Sequence, residues 1–285
     1  MMEFKPRTWT LLGVSAMALI GVAACQPGGE AGSAAGEGQS ASASKPGGEG
    51  EGEGAKPVAA APAAASAGGE SGEAGAANAY SNVDAKSWLG LRVTHLGGFL
   101  LIAQKSFDAG QVDEASVLIA QGLLEVYQPD AAELDEKVKE LKPSYDAVIA
   151  AIDGKKSKAE IQAAFAKASK VTEAARLAAG AEETEVIKGM LGIGAGLYRG
   201  VVQPEGNDPT EYQHAYGAVL AANQAFQQAQ QKLAHMDKKR TEQLATDIAS
   251  LLSLFPSVTI PDQPAPTAKV TAAASRAELA LSGIR

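Results

Sequence analysis

DPTEYQHAYGAVLAANQAFQQAQQKLAHM, residues 208–236, decides the fold class. Asp208 has the short polar side chain of a helix N-cap. Pro209 follows in the first turn, where a missing amide costs nothing, and Glu211 completes a capping-box pattern. Beyond them Tyr212, Tyr216, Val219, Asn223, Phe226 and Leu233 recur at helical spacing along one face. The stretch predicts a long amphipathic helix ending at about Met236.

The same periodicity extends outward in both directions. Upstream, a first helix is expected over about Val83–Ala109, with Trp88, Leu91, His95, Phe99 and Ile102 on its apolar stripe and Gly110 as its stop. A second is expected over about Val112–Tyr127. A third spans about Ala131–Ile152, with a bend expected at Pro143 because proline removes an amide donor and clashes with the preceding turn. Ser157-x-x-Glu160 is a capping box that opens a fourth helix to about Ala178. A fifth covers about Glu182–Val202. Downstream, about Lys238–Leu254 either continues the long helix or forms a seventh. Pro256, Pro261, Pro264 and Pro266 predict an extended connection before a last helix over about Ala268–Leu281. Alternating β-branched runs are missing and the loops are short. The expected fold for residues 80–285 is therefore all-α, an antiparallel up-and-down bundle of about six to eight helices.

Residues 26–79 have another character. They consist almost entirely of Gly, Ala, Ser, Glu and Pro, with no aromatic residue and Val58 as the only large aliphatic one. Such a segment buries too little apolar area to offset its chain entropy. Seven glutamates against Lys45 and Lys56 favour extension. A Gly-rich coil of this length spans roughly 40 Å root-mean-square. Residues 25–79 are read as a lipid anchor and disordered tether.

The first 24 residues carry Lys5 and Arg7, then an apolar run from Leu11 to Val22 that is too short to cross a bilayer, which needs about 20 residues. The run ends in Val22-Ala23-Ala24-Cys25, which resembles the lipobox of bacterial lipoproteins. The resemblance implies cleavage before Cys25, acylation of that residue, and anchoring in the cell envelope. Gln26, where retention in the inner membrane goes with Asp, favours the outer membrane. Cys25 is the only cysteine. An exported domain without another has no disulfide, thiolate nucleophile or cysteine metal site. Its net charge after cleavage is −9 with no basic cluster, so nucleic acid is not an expected partner.

Candidate sites are few. In VIKGMLGIGAGLYRGVV, residues 186–202, Gly189, Gly192, Gly196 and Gly200 fall on one narrow stripe of the fifth helix. Each glycine costs about 1 kcal/mol relative to alanine. Close packing against a neighbouring helix or a ligand groove would offset that. His95 sits on an apolar stripe and reads as a core histidine or a metal ligand. His214 lies about 200° from Tyr212 on a helical wheel, away from the core stripe. Its spacing from Glu211 is the Glu-x-x-His of di-iron bundles, but those need two such motifs. Glu125 lies at the edge of its helix's stripe, where a histidine from another helix would make it a ligand. His95, Glu125 and His214 are the candidate metal ligands, for iron or another divalent cation. His235 reads as a surface residue. No arrangement suggests nucleophilic catalysis, and no enzymatic activity is expected.

Two stretches carry a family resemblance. Ala103–Ala115, with Phe107, Gly110, Asp113 and Ala115 in a helix–turn–helix pattern, is similar to a turn in the helical extracytoplasmic domains fused to bacterial high-affinity iron permeases. Glu125 and Tyr127 follow as an acidic and aromatic helix end. Glu211-Tyr212-Gln213-His214-Ala215-Tyr216-Gly217 resembles a Glu-Tyr-x-x-Ala-Tyr-Gly segment of the same domain. The permease's membrane helices have no counterpart here. Neither does the Gly-x-His-x-x-Glu motif of imelysin-like iron-uptake proteins, since Leu96-Gly97-Gly98 follows His95. The resemblance implies periplasmic iron handling without transport. The expected function is a non-enzymatic, membrane-anchored binding module, an iron-uptake accessory. The alternative is a structural lipoprotein that meets another envelope protein and holds no metal.

Overall fold

The helix that opens at Asp208 is the axis on which the others are assembled. The computed structural model describes residues 73–204 and 206–284, all within one unit, Ala60–Arg285. The signal segment, Cys25 and most of the stretch read as a tether lie outside the described residues.

Ten α-helices are present among the described residues: α1 (Glu73–Ser81), α2 (Ala85–Asp108), α3 (Val112–Gly122), α4 (Ala131–Lys137), α5 (Leu141–Asp153), α6 (Lys158–Ala178), α7 (Glu183–Leu197), α8 (Pro209–Met236), α9 (Lys238–Leu252) and α10 (Thr267–Ser282). A minimal antiparallel pair, β1 (Val202–Gln203) with β2 (Gly206–Asn207), is the only departure from an all-α bundle among them. α8 packs against α2, α7 and α9, while α3 and α6 lie on α2, α1 on α7, and α10 on α7 and α9.

The N-caps at Asp208 and Ser157 are where the sequence put them, but Glu211 closes no capping box, since the Asp208 amide donates to the Val201 carbonyl at 2.8 Å. The Asp208 side chain accepts from the amides of Thr210 at 2.8 Å and Glu211 at 3.1 Å. Ser157 and Glu160 form the reciprocal box. Asp237 has an extended backbone and accepts from the Arg240 amide, which separates α9 from α8. Gly110 ends α2 at φ +85°, a conformation that costs a side chain strain. Tyr198 and Tyr212 donate to the carbonyls of Ala265 and Ser257. Their hydroxyls thereby fasten the Pro-rich connection between α9 and α10.

Three expectations are corrected. The third helix breaks at Val138–Glu140 into α4 and α5. Pro143 falls in the first turn of α5, where its amide has no intrahelical partner to lose. α1 begins at Glu73, inside the stretch read as tether, because α7 supplies apolar surface for Ala76, Ala79 and Tyr80 to pack against. Residues 123–127 form a π-helical turn on the end of α3 rather than a last turn of α-helix.

The glycines of residues 186–202 do not line one groove. A Cβ on Gly189 would stand 2.7 Å from the Leu91 side chain on α2. One on Gly192 would meet only Ala79 and Glu278, at 3.8 and 3.9 Å. Gly196 is buried within α7. Gly200 lies beyond the helix, in a 3-10 turn, with Glu211 at 3.0 Å. A Cβ on the off-stripe Gly194 would stand 2.9 Å from Val219 on α8. Each glycine answers to a different neighbour because α7 is covered on several sides. Gly192→Ala is expected to raise stability by about 1 kcal/mol, since helix propensity improves and the added methyl meets ordinary contact distances. A urea denaturation curve checks the sign.

Candidate histidine and carboxylate site

α8 has hardly an exposed face along its first half. Residues Glu211 to Val219 are all buried, so the back of the helix, where His214 projects, is covered as fully as the front. His214 is 6% exposed. It is not the outward residue that the helical wheel suggests. Its Nε2 lies 3.2 Å from Gln121 Oε1 at the end of α3, and its Nδ1 lies 3.6 Å from Glu125 Oε2 on the π-turn. The π-turn inserts one extra residue per turn and so re-aims the side chains that follow. It brings Glu125 to the same imidazole that Gln121 already reaches. Glu125 is a third exposed and opens the pair to solvent.

A second histidine lies on the other side of one ring. Phe99 of α2 sits with its centroid 4.7 Å from that of His214 and 5.6 Å from that of His95. Phe99 is held there by Gly122, where a Cβ would come within 2.7 Å of its Cβ and Cγ. His95 is buried, with Nδ1 2.6 Å from the Tyr80 hydroxyl of α1. Its Nε2 has no hydrogen-bond partner among the described residues. The Arg92 guanidinium lies over the Tyr80 ring at 4.1 Å and the Trp88 ring at 5.3 Å, and pairs with Asp130. A row of side chains therefore runs Asp130, Arg92, Tyr80, His95, Phe99, His214, Glu125.

Burial sets the protonation along this row. It pushes His95 down to about 3, with the nearby Arg92 and His214 acting in the same direction. It pushes His214 down to about 4, against a small opposing effect of Asp208. Burial raises Tyr80 to about 12 although Arg92 favours the phenolate. Both imidazoles are neutral at pH 7 and Tyr80 keeps its proton. Neutral imidazole beside a carboxylate is a ligand set for a cation.

Of the three residues predicted as metal ligands, His214 and Glu125 come together. His95 stays apart from them behind Phe99, held by Tyr80. Among the described residues no group of three His, Cys, Asp or Glu side chains is close enough to hold a metal ion. Glu211, the i−3 partner in the di-iron spacing, is buried against Gly200 instead. His235 is exposed, as expected. Sequence reasoning missed Tyr80, Arg92 and Gln121. Tyr80 is the first aromatic residue after the Gly/Ala-rich stretch, a signal that the fold starts before it.

No helix of the described residues is long and apolar enough to cross a membrane. No curated protein matches the chain, and no solved structure does. Residues 181–284 match the iron permease-associated 4-helix bundle domain. The matched span holds the four helices α7, α8, α9 and α10 and includes the Glu211–Gly217 segment. The Ala103–Ala115 stretch and Glu125 lie outside it. The C-terminal half of the folded unit is thus similar to a domain associated with iron permeases.

Proposed function

We propose that this protein is a lipid-anchored envelope module that serves iron uptake as a non-enzymatic binding accessory. The observation that carries the reading is the match of α7–α10 to an iron permease-associated bundle whose longest helix here bears His214 beside Glu125. Cys25, acylated at the end of its lipobox-like segment, fixes the module to the membrane. The outer membrane is the proposed site of anchoring. A purely structural role would call for a broad apolar face. Among the described residues no more than three of the large exposed apolar side chains share one stretch, Val112, Val117 and Leu124 on α3 and its π-turn, while Leu177 and Leu279 lie on α6 and α10.

The test is uptake of radioactive iron by cells grown under iron limitation. Deleting the gene is expected to slow uptake, the wild-type chain to restore it, and Cys25→Ser, which leaves the membrane fraction, to restore it poorly. Unchanged uptake in the deletion strain would refute the reading.

A further inference from the structure

We propose that His214 Nδ1 and Glu125 Oε2 are the two protein ligands of an exchangeable site for a divalent first-row transition cation, with Gln121 as the residue that positions the imidazole. The proposal deepens the iron-uptake reading and rests on it for the choice of ferrous iron as cargo.

The geometry comes first. The two atoms are 3.6 Å apart, beyond hydrogen-bond range. A cation about 2.1 Å from each would fit between them with an angle of roughly 120° at the metal. Gln121 Oε1, at 3.2 Å from Nε2, accepts the ring's N–H. That fixes the tautomer and leaves the Nδ1 lone pair facing Glu125. Ligating histidines characteristically donate their second ring N–H to such an acceptor.

The class of cation follows from the donors. One imidazole nitrogen and one carboxylate oxygen suit divalent iron, zinc or cobalt better than the hard, all-oxygen preference of magnesium or calcium. Two protein ligands leave the other positions to water, and the exposure of Glu125 gives water access. A site of this kind loads and releases its ion. His95 is not among its ligands, since Phe99 lies between the two imidazoles.

The test is titration of the full chain, purified in detergent, with Co²⁺ followed by its visible absorption, and with Fe²⁺ under anaerobic equilibrium dialysis. Wild type is expected to bind one ion with a nitrogen-ligand signature. Glu125→Gln, a change at a partly exposed position that leaves helix content intact, should weaken binding at least about tenfold. His214→Gln should abolish the nitrogen signature. Gln121→Leu should weaken binding about 10- to 100-fold, the range for a group that orients a metal ligand. Gln121→Glu still accepts from Nε2–H and should retain binding. If Gln121 instead donates to Nε2, the glutamate variant would lose what the wild type has, and the assignment falls. Equal binding by wild type and Glu125→Gln also overturns it, whether or not His214→Gln folds. The two levels separate in cells. Full restoration of iron uptake by Glu125→Gln in a strain that needs the protein would sink the site and leave the uptake reading standing. Cation binding lost in Glu125→Gln, with normal uptake in the deletion strain, would do the reverse.

Discussion

Gly217→Ala is expected to destabilise the protein by about 2 kcal/mol or more, although alanine is the better helix former by about 1 kcal/mol. The reason is the crossing of α2 and α8. A Cβ on Gly217 would stand 2.7 Å from the carbonyl oxygen of Gly98, and one on Gly98 would stand 2.8 Å from that of Gly217. The obstacle in each case is backbone, which cannot rotate away as a side chain can. Relief requires the two helices to separate, and with them the packing of Leu100, Ile102, Ala218 and Ala221 in the core. For a domain of this size the midpoint of thermal unfolding should fall by about 4–8 °C. Gly98→Ala should behave alike. The double variant should cost less than the sum of the singles, because one separation of the helices accommodates both methyls. Gly192→Ala, with room for its methyl, is the control of opposite sign. A rise in the unfolding midpoint for Gly217→Ala would mean that the helices do not cross this closely.

The second large effect is acid destabilisation. His95 is held to about 3 in the folded protein by burial, against an ordinary value of 6.5 in the unfolded chain. Below pH 6.5 the unfolded state takes up a proton that the folded state refuses. Stability must therefore fall with pH, by about 1.4 kcal/mol per unit, or about 2 kcal/mol by pH 5. His214, lowered to about 4, contributes with the same sign. The two together take about 4 kcal/mol from the folded state by pH 5, a large part of the stability of a typical domain. Tyr80, whose hydroxyl meets His95 Nδ1, keeps its proton throughout this range. Urea unfolding at pH 7.5, 6 and 5 measures the slope. His95→Gln can still meet the Tyr80 hydroxyl but does not titrate. It is expected to start less stable and to lose one proton's worth of pH dependence. An unchanged slope in that variant would show that His95 is already protonated in the fold.

Helix-stop and helix-start chemistry is local, and it was legible residue by residue. Asp208, the Ser157–Glu160 pair and Gly110 each satisfy or release backbone groups within a few positions of themselves. The apolar stripe of α8 was legible for the same reason: Tyr212, Tyr216, Val219, Phe226 and Leu233 are all buried. A one-dimensional period shows which face is most apolar. It does not show how many neighbours a helix has. α8 has α2, α7 and α9 around it, so His214, on the supposedly outer face, is buried as deeply as Tyr216.

The site itself was decided by tertiary structure. Glu125 and His214 were each recognisable as candidate ligands, but their meeting depends on the π-turn at residues 123–127. No residue pattern announces that turn. Gly122 gives way to the Phe99 ring, and the chain after it opens by one residue. α1 is the same kind of case. Its Gly- and Ala-rich sequence offers little apolar area of its own, and α7 provides the surface that makes it fold and presents Tyr80 to His95. Sequence by itself determined most of the helices, the caps at Asp208 and Ser157 and the class of fold, because those follow from interactions within a few residues. Tertiary packing alone decided that His214 is buried as well as His95, which carboxylate reaches it and where the folded unit begins, because those depend on surfaces contributed by segments far apart in the chain.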